Sequence, residues 1–338
     1  MSSKTARTVR FHAIGPSSVL QIEDLPLVEP ADDEVRIQVQ ALGLNRAEIM
    51  FREGQYLEMP ELPSRLGYEA AGIVDAVGSQ VTGLKVGDHV STIPAFSMST
   101  HGVYGESAVV PAHAVAKYPE LLTPEQGTSI WMQYLTAFGA MVTVGDLQPD
   151  QTVLITAASS SVGVAAIQMA KQIGAKVIAT TRKSDKSAFL LETGADFVIV
   201  TDNMDLVQTV REHTGGNGVD LVFDPIGGAI VEQLAEASAP GATIIEYGAL
   251  AAEATPFPLM AALSKGLTIR GYTLFEITQN APLFERAKQF VTEGLMSGDL
   301  DPVIDRTFTL DQIREAQDYM ASNQQQGKIV VRVANPGS

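Results

Sequence analysis

Polar and apolar residues alternate along the first part of the chain in short stretches that are typical of strands. Residues 34–40 read Glu-Val-Arg-Ile-Gln-Val-Gln, so every second side chain is apolar, as in a strand with one buried face. Further strands are predicted over residues 72–77, 88–93 and 107–110. The pattern therefore predicts a mainly-β region for about the first 120 residues.

The pattern changes after Pro124, where strands that are apolar throughout alternate with helices. Predicted strands cover residues 152–158, 176–181, 197–200, 219–224, 242–247 and 267–274, and predicted helices cover residues 162–173, 184–192, 204–213 and 228–237. A strand without a polar face has both sides buried, as in a parallel sheet that carries helices on its two faces. The fold class is therefore α/β, and the second region is predicted to be a doubly wound, Rossmann-type dinucleotide-binding domain.

The end of the chain returns to the pattern of the first region. Phe308 lies in a predicted strand, and residues 328–333 form a further apolar strand. A helix is predicted between them over residues 311–323, with Asp311 as its cap.

Composition and charge restrict the classes of partner. The 338 residues carry 39 acidic and 23 basic side chains, so the net charge of −16 argues against nucleic acid or an anionic membrane as a partner. The absence of cysteine excludes disulfides and thiol nucleophiles and suits a reducing compartment. No apolar run is long enough to span a membrane and no signal-peptide core is present, so a cytoplasmic protein is expected.

Two motifs resemble the medium-chain dehydrogenase/reductase superfamily. The first is Gly-Tyr-Glu-Ala-Ala-Gly-Ile-Val-Asp-Ala-Val-Gly over residues 67–78, and the second is Val-Gly-Asp-His-Val over residues 86–90. In the zinc-dependent alcohol dehydrogenases of this superfamily, a histidine ligand precedes the glutamate of the first motif and a cysteine ligand lies upstream. Tyr68 and Asn45 stand at those positions here. The resemblance therefore implies the zinc-free quinone oxidoreductase and enoyl reductase branch, with no metal site.

The resemblance also implies the domain organisation. Residues 1–125 and 298–338 would form a discontinuous, GroES-like, mainly-β catalytic domain, because the C-terminal segment of relatives rejoins that domain. Residues 126–297 would form the Rossmann NADP(H)-binding domain. A homodimer that pairs through the sixth strand of the parallel sheet is implied in the same way.

The turn after the first parallel strand is the candidate dinucleotide-binding loop. It reads Ala-Ala-Ser-Ser-Ser-Val-Gly over residues 157–163, and only Gly163 remains of the three glycines in a complete fingerprint. A strand ends before this turn and a helix begins within it, and serine caps helices and donates hydrogen bonds to phosphate. Ser160, Ser161, Val162 and Gly163 are therefore predicted to bind the cofactor, with a simple helix cap as the alternative.

The end of the second parallel strand indicates which dinucleotide is bound. An NAD site carries an acidic residue there, but Thr181 is followed by Arg182 and Lys183, and Lys186 lies close behind. Arg182 can contact a ribose 2′-phosphate through two hydrogen bonds, and Lys186 has the spacing of a phosphate-binding lysine in quinone reductases. Thr181, Arg182 and Lys186 are therefore predicted to bind NADP(H), with a solvated basic loop as the alternative.

The candidate catalytic residues lie around the first helix. The stretch from Asn45 to Tyr56 resembles one in zinc-free relatives, where the tyrosine lines the substrate pocket or protonates the carbon beside the carbonyl. Asn45 and Tyr56 are predicted to supply a hydrogen bond or a proton to the acceptor, although packing alone is the alternative for Tyr56. The resemblance further implies cofactor contacts for Thr136, Tyr247, Phe275 and Lys328.

The expected function is a zinc-independent, NADPH-dependent reduction of a quinone or an α,β-unsaturated carbonyl. Ordinary alcohol oxidation needs a strong ligand for the alkoxide, which zinc supplies in the metal-dependent enzymes. A conjugated acceptor needs less help, because the charge delivered with hydride is delocalised. Two alternatives remain: a 2-enoyl thioester or alkenal reductase, and an NADPH-binding structural or sensing protein with little catalysis.

Overall fold

The chain divides into two compact units. The computed structural model describes residues 4–333. Within that range, the first unit contains residues 4–132 and 302–333, and the second unit contains residues 133–301. The first is rich in antiparallel strands and the second contains a parallel sheet with helices, which confirms the predicted α/β fold class.

Both units contain strands and helices. The strands are β1 (Thr5–Phe11), β2 (Leu20–Pro26), β3 (Glu34–Gly43), β4 (Glu69–Val77), β5 (His89–Thr92), β6 (Ser107–Pro111), β7 (Val115–Lys117), β8 (Thr152–Ile155), β9 (Lys176–Thr181), β10 (Phe197–Val200), β11 (Val219–Asp224), β12 (Ser238–Glu246), β13 (Thr268–Gly271), β14 (Ile304–Thr309) and β15 (Lys328–Arg332). The α-helices are α1 (Arg46–Arg52), α2 (Met98–His101), α3 (Pro124–Gly127), α4 (Trp131–Phe138), α5 (Ser161–Ile173), α6 (Ser187–Thr193), α7 (Leu206–His213), α8 (Ile230–Ala237), α9 (Leu259–Lys265), α10 (Phe275–Thr278), α11 (Ala281–Ser297) and α12 (Ile313–Ala321). Short 3₁₀ turns cover Ser17–Val19, Ala112–Ala114, Ser184–Lys186 and Leu310–Gln312, and a π-helical turn covers Gly139–Val144.

The first unit is built on a sheet with the strand order β14-β15-β3-β4-β5-β7, in which β6 also pairs with β3. β15 is an internal strand of this sheet, parallel to β14 and antiparallel to β3. β1 and β2 form a separate antiparallel pair. The last strand of the chain is therefore an integral part of the first unit.

The second unit contains a six-stranded sheet with the order β10-β9-β8-β11-β12-β13, in which neighbouring strands are parallel. Counted along the chain, this is the 3-2-1-4-5-6 order of the dinucleotide-binding fold. The predicted strands 176–181, 197–200 and 219–224 match β9, β10 and β11 residue for residue. The strand order reverses between β8 and β11, which is the place where ligands bind in open α/β sheets.

Several predicted elements differ from the structure: strand 152–158 ends at Ile155, strand 242–247 covers Ser238–Glu246, and helices 184–192 and 204–213 cover Ser187–Thr193 and Leu206–His213. Asp311 does not cap a helix: Thr309 and Gln312 form a capping box at the 3₁₀ turn, where the Thr309 N–H donates to Gln312 Oε1 at 3.1 Å, and α12 follows. The predicted strand 267–274 ends at Gly271, because Phe275 already begins α10. The 17-residue helix α11 was missed, although Asn280 caps it and a proline stands in its first turn.

Candidate functional site

The turn of residues 157–163, the serine turn, joins β8 to α5 beside the strand-order reversal. Ser160 caps α5 and its Oγ accepts a hydrogen bond from the Gly163 N–H at 3.1 Å. A Cβ at Gly163 would lie 2.4 Å from the Ala158 carbonyl oxygen, so only glycine permits this close packing of helix on strand. Ala157 takes a φ of 45°, in the left-handed region that favours glycine. The serine turn therefore has the compact geometry that places a dinucleotide phosphate at a helix N-terminus.

Lys186 lies at the serine turn. Its Nζ donates to Ser159 Oγ at 3.0 Å, although the two residues are 27 positions apart in the sequence. Arg182 and Lys183 are exposed just after β9. The Thr181 hydroxyl donates to the Lys183 carbonyl oxygen at 3.2 Å, within its own turn. Lys186 and the serines of the turn therefore lie together in the structure. The predicted cofactor role of Thr181 stays a prediction.

Tyr247 also reaches the serine turn. Its ring stacks on Phe223, with 3.9 Å between the ring centroids and 14° between the planes. Burial and the nearby Asp224 carboxylate raise the pKa of Tyr247, while the neighbouring Ser160 hydroxyl acts in the opposite direction. Tyr247 and Ser160, both predicted from the sequence to bind the cofactor, are therefore neighbours.

Two carboxyl groups that the sequence reasoning missed lie at this same edge of the sheet. Asp224 is fully buried and accepts hydrogen bonds from Thr156 Oγ1 and from the Gly227 N–H, the latter at 2.8 Å. Glu246 is its partner in the β11–β12 register. Burial first, and then Asp224, raise the pKa of Glu246 to about 8, so that Glu246 holds a proton at neutral pH. An acidic residue at the end of an otherwise apolar strand was the sequence signal for Asp224.

The other predicted cofactor residues of the second unit are distributed over three helices. Ser161 and Val162 form the first turn of α5, half-buried, beside the Ser160 cap. Thr136 is buried in α4, and Phe275 is half-buried at the start of α10. The cofactor roles of Thr136 and Phe275 stay predictions.

In the first unit, Asn45 and Lys328 belong to a buried polar network. Asn45 Nδ2 donates to Glu69 Oε2 at 3.1 Å and to Glu48 Oε1 at 3.2 Å. Lys328 Nζ donates to Asn45 Oδ1 at 2.7 Å and to Glu69 Oε2 at 2.5 Å. These contacts hold α1 against β4 and β15. Both ends of the Asn45 amide are engaged inside the unit, so its predicted hydrogen bond to an acceptor stays a prediction, as does the cofactor contact of Lys328.

Glu48 is the centre of a second set of contacts in this network. It accepts hydrogen bonds from the Asn45 N–H at 2.5 Å, the Tyr104 hydroxyl at 2.7 Å and the Tyr68 N–H at 3.2 Å. Burial raises the pKa of Glu48 to about 7, although these donors and Lys328 act in the opposite direction. Neither Glu48 nor Tyr104 was singled out as a network residue from the sequence, because their contacts join distant parts of the chain.

Tyr68, which stands where zinc-dependent alcohol dehydrogenases carry a histidine ligand, lies in an aromatic cluster with Tyr56 and Phe96. Tyr68 is 1% exposed, and its ring lies 6.4 Å from that of Tyr56 and 5.7 Å from that of Phe96, measured between centroids. Burial raises the pKa of Tyr56, and the neighbouring Tyr68 hydroxyl partly offsets this rise. Tyr56 is therefore a phenol at neutral pH. Within residues 4–333, no group of three or more histidine, cysteine, aspartate or glutamate side chains is placed to hold a metal ion.

Comparison with known proteins identifies the family. Residues 31–120 match the alcohol dehydrogenase GroES-like domain, and residues 161–291 match the zinc-binding dehydrogenase domain. Human quinone oxidoreductase is 30% identical over 317 residues, which cover 93% of this chain and 94% of that protein. The chain belongs to the quinone oxidoreductase branch of the medium-chain dehydrogenase/reductase superfamily. The resemblance stated from the motifs is thereby confirmed, and the protein is an oxidoreductase.

Other relatives support the same assignment. The quinone oxidoreductase of Salmonella typhimurium is 30% identical over 331 residues, covering 95% of this chain and 98% of that protein. The crystal structure of Escherichia coli quinone oxidoreductase complexed with NADPH matches with a TM-score of 0.90 and 28% identity, covering 97% of this chain and all of that one. None of the helices within residues 4–333 has the length and apolar character needed to span a membrane.

Proposed function

We propose that this protein is a zinc-independent reductase that uses NADPH to reduce a quinone or an α,β-unsaturated carbonyl compound. NADPH, when bound, supplies the hydride. The serine turn and the cations that follow β9 bind the dinucleotide, and Tyr56 supplies the proton that completes the reduction. The single observation that carries the proposal is the hydrogen bond from Lys186 to Ser159 of the serine turn, beside the strand-order reversal.

The dinucleotide-binding part of the proposal rests on charge and geometry. The N-terminus of α5 presents unpaired N–H groups to a phosphate, and Lys186 adds a positive charge beside Ser159. Arg182 and Lys183 follow β9 with exposed side chains, where a ribose 2′-phosphate is recognised in NADP(H) enzymes. The presence of NADPH in the related Escherichia coli enzyme supports the same choice.

The acceptor part rests on the surroundings of Tyr56. A phenol that stays protonated can donate a hydrogen bond or a proton to an oxygen or carbon that gains electron density. The side chains of Leu57 and Met59, which follow Tyr56, are 74% and 60% exposed. Exposed apolar side chains beside a proton donor suit an apolar, conjugated acceptor better than a highly charged one.

The direct test is NADPH consumption by protein dialysed against a chelator, with quinones, enones and 2-enoyl thioesters as separate acceptors and NADH in parallel. Turnover of quinones or enones with a preference for NADPH is expected. Turnover confined to 2-enoyl thioesters would move the assignment to that alternative. NADPH binding without turnover of any acceptor would overturn the reductase proposal in favour of a binding protein.

The coenzyme preference has its own control. Arg182→Ala should weaken NADPH binding by about tenfold or more while changing NADH binding much less, because only NADPH carries the 2′-phosphate. Lys176→Met is the control, since Lys176 is exposed at the opposite end of β9. An equal loss for both coenzymes in Arg182→Ala would show that Arg182 does not recognise the 2′-phosphate.

We also propose a homodimer that pairs through β13. This strand lies at the edge of the six-stranded sheet, and α9, which precedes it, has its apolar side chains Leu259, Met260 and Leu263 exposed by 54%, 75% and 70%. An open edge next to exposed apolar side chains is a surface that a second copy can cover around a twofold axis.

Light scattering coupled to size exclusion tests the dimer. The unmodified protein should have twice the chain mass of 36.0 kDa. The double variant Met260→Glu with Leu263→Glu should shift it to the monomer, because two charges would be buried at the interface. Leu191→Glu, at a 50% exposed position on α6, is the control and should remain dimeric. A monomeric unmodified protein would contradict the proposal.

A further inference from the structure

Residues 53–64, the loop that follows α1, are held in place by hydrogen bonds although they form no helix or strand. Ser64 and Phe11 exchange two backbone hydrogen bonds, at 2.9 and 3.0 Å. The Glu61 N–H donates to Ser99 Oγ at 3.2 Å. These contacts fix the positions of the side chains that the loop presents to solvent.

Apolar side chains of this loop lie exposed beside a second segment of the first unit. Leu57, Met59 and Ile14 are exposed by 74%, 60% and 50%. Ile14 and Met59 approach each other over Gly54, because a Cβ at Gly54 would lie 3.4 Å from Ile14 Cδ1 and 3.5 Å from Met59 Cε. These are ordinary van der Waals distances, so the space above Gly54 accepts a carbon atom between two methyl groups. We call Ile14, Gly54 and Met59 the apolar notch.

The apolar notch lies close to the proposed proton donor. Tyr56 stands between Gly54 and Met59 in the sequence. The Cα atoms of Gly54 and Tyr56 are at most about 7.6 Å apart, since consecutive Cα atoms are separated by about 3.8 Å. The Tyr56 ring lies against that of Tyr68, with 6.4 Å between the centroids. A substituent of an acceptor that contacts Tyr56 therefore has a short path to the notch.

The charges of the loop indicate which substituents the notch can bind. Residues 53–64 include Glu53, Glu58 and Glu61 and no lysine or arginine. Their carboxylates repel anionic groups, such as the phosphates of a thioester carrier or the head groups of an acidic lipid surface. The notch is also small, whereas a protein–protein interface takes about 20–30 residues from each partner. A neutral hydrocarbon chain fits both the charge and the size.

We propose that the apolar notch binds a neutral hydrocarbon tail of the acceptor, so that the preferred quinone or enone is a lipophilic one. This inference rests on the proposed function. Contact with the tail removes the exposed surfaces of Leu57, Met59 and Ile14 from water, together with the surface of the tail itself. Because the tail is remote from the reacting atoms, its binding free energy raises kcat/KM without adding a chemical step.

The test compares two acceptors that differ only in the tail: a methyl-substituted para-benzoquinone and the same quinone with a decyl chain, each reduced with NADPH. In the unmodified protein, kcat/KM should be about tenfold or more higher for the decyl quinone, because each buried methylene strengthens binding several-fold. The double variant Ile14→Thr with Met59→Gln, the notch variant, changes the size of both side chains little but makes them polar. The ratio of the two kcat/KM values should fall to about one in this variant.

The matched control introduces the same residue types at exposed apolar positions outside the notch. Val86 and Leu121 are exposed by 60% and 64% and belong to the first unit. Val86→Thr with Leu121→Gln should keep the ratio of the unmodified protein. Circular dichroism checks that both double variants are folded.

A second readout does not depend on turnover. The methyl signal of Met59 in protein labelled at the methionine methyl carbons is assigned by its absence from Met59→Gln among the eleven methionines. Without NADPH, it should move when the decyl hydroquinone is added and stay in place with the hydroquinone that lacks the tail. The signal of Met260, which is 75% exposed on α9, is the control for non-specific binding and should not move.

Four results would overturn the inference: equal kcat/KM values for the two quinones in the unmodified protein, an unchanged ratio in the notch variant, loss of the ratio in the control variant as well, or an unmoved Met59 signal. A notch variant with half the mass of the unmodified protein in light scattering would also do so, since the notch would then be an interface between copies of the chain. If the notch variant does not fold, the Met59 signal of the unmodified protein decides. Failure of the proposed function is a different result, in which the unmodified protein reduces neither quinone.

Discussion

Lys328 and Glu69 form an ion pair from which water is excluded. Neither side chain has any exposed surface, and Asn45 hydrogen-bonds to both. Removing a charge from water costs several kcal/mol per ion, so each of the two is tolerated only because the other is present. The pair therefore joins β15 to the motif strand β4. Removing one partner alone destabilises the protein much more than replacing both partners together.

Loss of one partner should show this directly. Lys328→Met is expected to lower the free energy of unfolding by roughly 3–5 kcal/mol, because it leaves Glu69 charged and buried. Chemical denaturation followed by circular dichroism measures the loss. Adding Glu69→Gln to Lys328→Met should recover part of it.

The control for this prediction is an exposed pair in the same unit. Lys117→Met breaks the contact with Asp88 at 2.9 Å, where the lysine is 52% exposed, and should cost about 0–1 kcal/mol. Similar losses of unfolding free energy in Lys328→Met and Lys117→Met would mean that burial does not determine the contribution of the Lys328–Glu69 pair.

For single residues, the sequence indicates which side chains belong to the candidate site better than it indicates which side chains they contact. Tyr68 and Asn45 could be located because the motifs place them where relatives carry metal ligands. Their partners could not be found in the same way. Lys328 lies 283 positions from Asn45, and no periodic pattern joins residues so far apart. The pairing of Tyr68 with Tyr56 likewise depends on the path of the loop after α1.

The N-terminus of α5 shows how a single glycine fixes an element. The helix can lie against the end of β8 only because Gly163 has no Cβ to meet the Ala158 carbonyl. Gly163→Ala should displace the first turn of α5 and weaken NADPH binding by about tenfold or more, since the phosphate contacts depend on that turn. Isothermal titration calorimetry measures the affinity.

A variant at the other end of the same helix separates binding from stability. Gly174 ends α5 with a φ of 93°, so Gly174→Ala strains the backbone far from the serine turn. It should lower the melting temperature and leave NADPH affinity unchanged. Weakened binding in Gly174→Ala would imply that helix stability, and not the phosphate-binding turn, controls affinity.

Elements were predictable where burial alone decides their pattern. The strands of the second unit are covered on both sides, so their apolar runs give β9, β10 and β11 without error. Boundaries set by hydrogen bonds between side chain and backbone were less accessible. The capping box of Thr309 and Gln312 displaced the start of the helix predicted from Asp311. The incomplete glycine fingerprint predicts a dinucleotide-binding turn only because a strand precedes it and a helix follows it.

Over the whole molecule, protonation of buried carboxyl groups links stability to pH. The pKa of Glu246 is raised to about 8, chiefly by burial, and burial raises that of Glu48 to about 7. At neutral pH the folded protein therefore holds protons that an unfolded chain has released. The contribution of these protonated groups to the free energy of unfolding is fully present below the ordinary glutamate pKa. It is lost as the pH rises through the raised pKa values of the folded protein.

The free energy of unfolding should accordingly fall between about pH 5 and pH 9. Glu246→Gln replaces the protonated acid by a neutral amide, so this variant should lose less stability on going to alkaline pH and should exceed the unmodified protein in melting temperature by about 2 °C or more above pH 8. Differential scanning calorimetry over this range makes the comparison. Glu232→Gln, at an exposed position on α8, is the control and should follow the unmodified protein. Parallel curves for Glu246→Gln and the unmodified protein would contradict the assignment.

The architecture and the family were accessible from the sequence, whereas the acceptor was not. Strand and helix patterns, together with two motifs, were enough to predict the parallel sheet and the superfamily. We expect side chains on irregular segments, such as Leu57 and Met59, to select the acceptor, and such segments follow no periodic rule. The domain boundaries expected at residues 125 and 298, and a cytoplasmic location, stay predictions.

The internal position of β15 has a consequence for how the protein is made. The second unit is continuous in sequence, so it can close while the ribosome is still adding residues. The first unit cannot: residues 41–43 of β3 lack their neighbour until residues 330–332 have been synthesised. During that interval β3 offers unpaired backbone groups to other nascent chains. A chain that lacks residues 330–332 would keep this edge open permanently, so a stop codon that precedes them should yield aggregated and not merely less active protein.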